Sequence, residues 1–95
     1  MVKKDIMLDI IDDLNDNGIV YEDDFKKIMK VIGDVKVSKD FSKRITETVW
    51  KKSNSDVPSI DIRNYNIKKN KYYRGISMSK LEAKELYEIL KKYFE

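Results

Sequence analysis

The chain has 95 residues, 41% hydrophobic and 39% charged, and a formal net charge of +3. That length suits one domain with a modest core, and the balance of apolar and charged residues is that of a folded chain. Cys and His are both absent, which excludes disulfides and thiolate metal sites and removes the commonest general base and metal ligand. The expectation is therefore a protein without catalytic chemistry or a cofactor.

No apolar run approaches the ~20 residues that a membrane-spanning helix requires. Asp9, Asp12 and Asp13 follow close on the N-terminus and leave no room for the apolar core of a signal peptide. A cytoplasmic setting is expected, or the host cytoplasm or nucleus for a viral chain. The charge is unevenly spread. Residues 1–34 carry a net −4, residues 35–80 a net +8 and residues 81–95 a net −1. An anionic partner is expected at the central third.

In chain order, Met7, Ile10, Ile11 and Leu14 recur at the spacing of one helical face and predict a helix over about 4–15. Asn17-Gly18 ends it. Asp9, Asp12, Asp13 and Asp16 form an acidic stripe, but the stretch Asp12–Gly18 lacks the alternating oxygens and terminal Glu of a calcium loop. Ile19-Val20-Tyr21 is a short β-prone link. Glu22, Asp23 and Asp24 suit the start of a second helix over about 22–32, whose stripe is Phe25, Ile28, Met29 and Ile32. Ser38 is a candidate N-cap for a third helix over 38–53, with Phe41, Ile45 and Val49 on one side and Trp50 beside them.

Pro58 and the polar run Ser53–Asp56 break the chain before a predicted hairpin over 59–78. Its turn, Lys68-Lys69-Asn70-Lys71, is almost wholly cationic. Ser79-Lys80-Leu81-Glu82 matches a capping box and opens a last helix over about 79–94.

Helix, strand, helix, helix, hairpin, helix is the order of a winged helix-turn-helix with an added C-terminal helix. The expected fold class is thus mainly α with a small β-hairpin, in a single domain over 1–95. In that arrangement the third helix enters the major groove of duplex DNA and the wing reaches the flanking backbone. Lys39, Ser42, Lys43, Arg44, Thr46 and Lys51 on the helix are candidate contacts. On the hairpin, Arg63, Lys68, Lys69, Lys71 and Arg74 join them. Tyr65, Tyr72 and Tyr73 interleave with these cations. Tyrosines so placed either stack on unpaired bases or pack across the hairpin, and packing is expected for at least two of the three.

From Ser38 to Met78 the chain resembles a winged-helix DNA-binding domain. Lys71-Tyr72-Tyr73-Arg74-Gly75-Ile76 is similar to the second wing strand of the domain that closes many viral and plasmid helicase-primases of the D5 type. That resemblance implies DNA-facing roles for Lys43, Arg44, Lys68, Lys69 and Lys71, in viral or plasmid replication or in transcriptional control.

Two further partners come from the same sequence. The acidic first third, joined to a basic middle, also suits a phage- or virus-encoded protein that inhibits a host factor such as a nuclease. Leu86, Leu90, Tyr93 and Phe94 offer more apolar surface than one short helix must bury, which makes a homodimer through the C-terminal helix compatible with either role.

Overall fold

The structure, a computed structural model, describes residues 19–95. The helix expected over 4–15 and the acidic stripe upon it lie outside the described residues. The rest is an antiparallel sheet followed by one helix. Strands β1 (Tyr21–Glu22), β2 (Lys26–Lys36), β3 (Phe41–Trp50), β4 (Ser59–Asn66) and β5 (Lys71–Met78) pair in simple sequence order. A single 3-10 turn, Lys51–Ser53, follows β3, and helix α1 (Lys80–Phe94) follows β5.

The mainly α, winged-helix expectation is therefore corrected, because both central helices are strands. The reason lies in what apolar spacing can encode. In β3 the residues Phe41, Ile45 and Val49 recur every fourth position, which marks one face of a strand as well as one face of a helix. The β-branched residues Ile45, Thr46, Thr48 and Val49 tip that choice toward strand. In β2 the register slips between Ile28 and Lys30, and again between Val31 and Gly33. Met29 and Ile32 are the extra residues. Each bulge stretches an alternation of two into a spacing of three. Ile28, Val31 and Asp34 consequently share a face at a spacing that imitates a helix.

The acidic triplet that seemed to open a helix builds a turn instead. The Asp23 carboxylate accepts hydrogen bonds from Phe25 N at 2.8 Å and Lys26 N at 2.9 Å. A short carboxylate closing the backbone just ahead serves a turn as readily as a helix cap.

The hairpin of β4 and β5 stands where the sequence predicts it. So does the last helix. Ser79 Oγ accepts from Glu82 N at 3.1 Å, and Ser79 N donates to Glu82 Oε1 at 2.8 Å, completing the capping box.

The bulged sheet curls until its first and last strands approach one another. The Tyr21 ring on β1 lies 4.9 Å from that of Tyr72 on β5, and Tyr72 lies 4.7 Å from Tyr65. Gly75 permits the close passage of β5 over β4. A methyl group there would collide with the Arg63 side chain and the Ile62 carbonyl.

The concave side is unusually polar. Ser42, Thr46, Thr48 and Asp61 are buried there beside Ile28 and Tyr65. The convex side carries Phe41, Ile45, Val49, Ile60, Ile62 and Ile76, all at least partly exposed. The start of α1 meets that side, where Lys80 Nζ lies 3.7 Å from Glu47 Oε2.

Candidate nucleic-acid interface

Antiparallel order puts the β2–β3 and β4–β5 turns at the same end of the sheet, and one backbone bond ties them together. Ile67 N donates to the Asp40 carbonyl at 2.8 Å. The β2–β3 turn is closed by Val37 N and Ser38 N, both donating to the Phe41 carbonyl at 3.0 Å.

The cationic tip of the other turn is shaped by two asparagines. Asn66 Oδ1 accepts from Lys69 N at 2.9 Å, and Asn70 adopts the left-handed conformation at φ 51°. Tyr65 then fixes the Asn70 side chain by donating its hydroxyl at 2.7 Å. Asparagine tolerates both duties better than most residues. The lysines between them, Lys68 and Lys69, are exposed.

The result is a lysine-rich end of the sheet, where Lys36, Lys39, Lys43, Lys68, Lys69 and Lys71 are all exposed, Lys36 on the concave side and Lys43 on the convex side. Phe41 and Tyr73 lie among these lysines with ring centroids 6.0 Å apart, and Lys71 Nζ sits 5.6 Å from the Tyr73 ring. Both residues keep more than a third of their surface in solvent, 37% for Phe41 and 38% for Tyr73. Lys43 Nζ is steadied by Asn64 Oδ1 at 2.9 Å. Arg74 is exposed further along β5. Among the described residues, opposing carboxylates are few at this end. Asp34 is already committed to Arg44, and Asp40 is half-buried.

Of the residues singled out from sequence, Lys39, Lys43, Lys68, Lys69 and Lys71 thus come together, with Arg74 nearby. The others do not. Ser42 and Thr46 are each only 1% exposed, on the concave face. Thr46 shares a 2.7 Å hydrogen bond with Thr48.

Arg44 grips Asp34 with both arms, Nε at 2.9 Å and Nη2 at 3.0 Å, while its guanidinium carbon stands 3.7 Å from the Tyr65 ring centre. Arg63 holds Asp61 in the same manner at 2.6 Å and 2.8 Å, and Nη1 donates to the Tyr73 carbonyl at 3.0 Å. Bidentate pairs of this kind are among the stronger charge-assisted contacts. Lys51, at the far end of the sheet, pairs with Glu22 at 2.8 Å. These three cations are already matched inside the chain.

Sequence reasoning missed Lys36 and Phe41 as members of the surface. The signal was present in Lys36-Val37-Ser38-Lys39-Asp40, a polar gap between two β-branched runs that reads equally as a turn.

The concave network has its own electrostatics. Lys26 Nζ pairs with Asp23 at 3.0 Å and lies 5.5 Å from the Tyr21 ring, 5.7 Å from Trp50 and 5.5 Å from Tyr72. Burial alone would raise the Asp23 carboxyl. The donors Phe25 N, Lys26 Nζ and Lys26 N outweigh it and bring Asp23 down to about 2. The Arg44 guanidinium likewise holds Asp34 below the usual carboxylate range, against the effect of burial. Burial pushes the Tyr72 hydroxyl up, with Arg44 acting the other way. Among the described residues, every buried side-chain polar atom has a hydrogen-bond partner. The interior is consumed by its own contacts.

An open cleft of about 540 Å³ lies at the opposite end, lined by Asp24, Phe25, Trp50, Lys51 and Lys52. Among the described residues no cluster of carboxylates is grouped to hold a metal ion.

Compared with known proteins, no family model matches this chain, and no curated protein matches it.

Proposed function

We infer that the protein binds single-stranded nucleic acid at the end of the sheet formed by the β2–β3 and β4–β5 turns. One observation carries this reading: a backbone bond from Ile67 to Asp40 joins the two turns, so that exposed lysines without a carboxylate partner among the described residues gather at the end of the sheet that carries Phe41 and Tyr73.

Each component has a physical task. Lysine ammonium groups without a carboxylate partner neutralise phosphates and release counterions, which supplies affinity irrespective of base sequence. Exposed aromatic faces stack on unpaired bases, a contact worth about 1–3 kcal/mol per base. In a duplex the bases already stack on each other and present only edges. With a strand in place of the third helix, the major-groove contact expected of that helix is lost. The preference therefore runs toward single strands, and the reading involves neither a cofactor nor a chemical step.

Fluorescence anisotropy of labelled oligonucleotides tests it. Single strands are expected to bind more tightly than the corresponding duplex at equal salt. The logarithm of the affinity should fall with the logarithm of salt at a slope near −0.7 for each phosphate contacted. Binding that is indifferent to salt, or tighter to duplex, would contradict the reading.

A further inference from the structure

The distribution of apolar residues leaves the described residues short of a core. Only Ile28 and Tyr65 are buried hydrophobics, while sixteen large apolar residues are exposed. Scattered surface hydrophobics need no explanation, but these are concentrated. Five lie within the last nine residues. Tyr87 is 56% exposed, Ile89 66%, Leu90 45%, Tyr93 78% and Phe94 77%.

Helix α1 has no buried residue at all. Fifteen residues are near the limit at which an isolated helix is stable in water, so α1 needs a packed face to persist. Ala83 and Leu86 are half-buried, and the apolar residues that follow them on the helix are exposed.

We propose that this face is covered by a second copy of the chain, α1 against α1, with the exposed convex side of the sheet extending the contact. Two observations select that occupant.

The first is chemical self-complementarity. Ala83, Leu86, Leu90 and Tyr93 follow the 3-4-3 spacing of a two-helix seam, and Tyr87, Ile89 and Phe94 flank it. The charged residues of the same stretch, Lys84, Glu85, Glu88, Lys91 and Lys92, all fall outside seam and flanks. An uncharged apolar face can meet its own image across a two-fold axis without desolvating a single ion.

The second is area. Three aromatics and two aliphatic side chains exposed to this degree offer roughly 600 Å² per copy, or about 1,200 Å² for a pair. That reaches the lower bound for a specific, stable interface. The convex residues Ile60, Ile62 and Ile76 extend it.

Pairing here would leave both lysine-rich ends free, so one strand could engage two of them and gain affinity by proximity alone. The pairing itself does not depend on the nucleic-acid reading and is tested without nucleic acid.

Sedimentation equilibrium of the nuclease-treated full chain is the experiment, read across nanomolar to high micromolar concentrations. The expected mass is twice the 11.3 kDa of the chain at micromolar concentration, with dissociation on dilution. Helical circular dichroism should fall in step with that dissociation.

Tyr93 and Phe94 are more than three-quarters exposed, so replacing them cannot unfold a free monomer. The double variant Tyr93→Ser/Phe94→Ser should raise the dimer dissociation constant at least a hundredfold. Lys68→Glu/Lys69→Glu, at the far end, should leave it unchanged. Three results would overturn the proposal. The first is a monomer at every concentration with helicity intact. The second is a dimer indifferent to the Tyr93/Phe94 substitutions. The third is a monomer that associates only when residues 1–18 are deleted, which would make that segment the occupant.

Discussion

The concave interior and the lysine-rich end use the same materials to opposite effect. Both combine cations with aromatic rings. In the interior, Lys26, Arg44 and Arg63 each have a carboxylate within 3.0 Å and at least one ring close by. At the end, Lys36, Lys39, Lys68 and Lys69 are exposed on turns and strand termini, with Asp40 next to Lys39 in the β2–β3 turn. Whether a cation is a structural strut or a free handle is decided by the acid opposite it. The distinction is invisible in a net charge. A count of +8 over residues 35–80 includes two arginines that the fold has already spent.

That contrast can be broken from either side. The largest effect is expected from Asp61→Ala. Asp61 is 2% exposed, and its loss strands the Arg63 guanidinium and removes the acceptor of Ser77 Oγ. Removing one partner of a buried pair costs about 3–5 kcal/mol, to be read as a lower midpoint in urea denaturation. Strand affinity of the fraction still folded should not change.

The converse variant, Lys68→Ala/Lys69→Ala/Lys71→Ala, should leave stability within about 0.5 kcal/mol. It should weaken single-strand binding roughly ten- to a hundredfold at low salt and flatten the salt slope by about 2.

Tyr73→Ala sharpens the comparison further, since its ring is only partly exposed and is backed by Phe41. A loss of about 1–2 kcal/mol is expected on single strands and little on duplex, measured by paired anisotropy titrations.

The smallest effect is one of pH. Asp23 and Asp34 have lower carboxyl pKa values folded than unfolded. The stability they contribute is full above about pH 4 and is lost as pH falls through the folded value, about 2 for Asp23. After allowance for solvent screening that contribution is about 1–2 kcal/mol, and acid titration of the urea midpoint measures it.

Parts of this were legible in the sequence, and the physics explains which. The Ser79 capping box and the Lys68–Lys71 turn are local signals, settled within a few residues, and both stand where the sequence places them. The identity of β2 and β3 is not local. Bulges at Met29 and Ile32 and the four-residue repeat of Phe41, Ile45 and Val49 each satisfy a helical period until strand pairing chooses otherwise. The candidate surface was half legible for the same reason. Lys39 and Lys68 lie far apart in the chain, and only antiparallel pairing brings their turns to one end. Arg44 and Arg63 could not be recognised as internal struts before Asp34 and Asp61 were placed opposite them.

The central claim is that strand binding belongs to the joined turns and not to the concave face. Amide chemical-shift mapping of the 15N-labelled chain, titrated with a short single-stranded oligonucleotide, tests this most directly. Shifts are expected to concentrate at residues 36–43 and 67–74, with Thr46, Thr48, Asp61 and the later turns of α1 unmoved. Shifts centred on Trp50, on the concave strands or on α1, with the two turns silent, would contradict it.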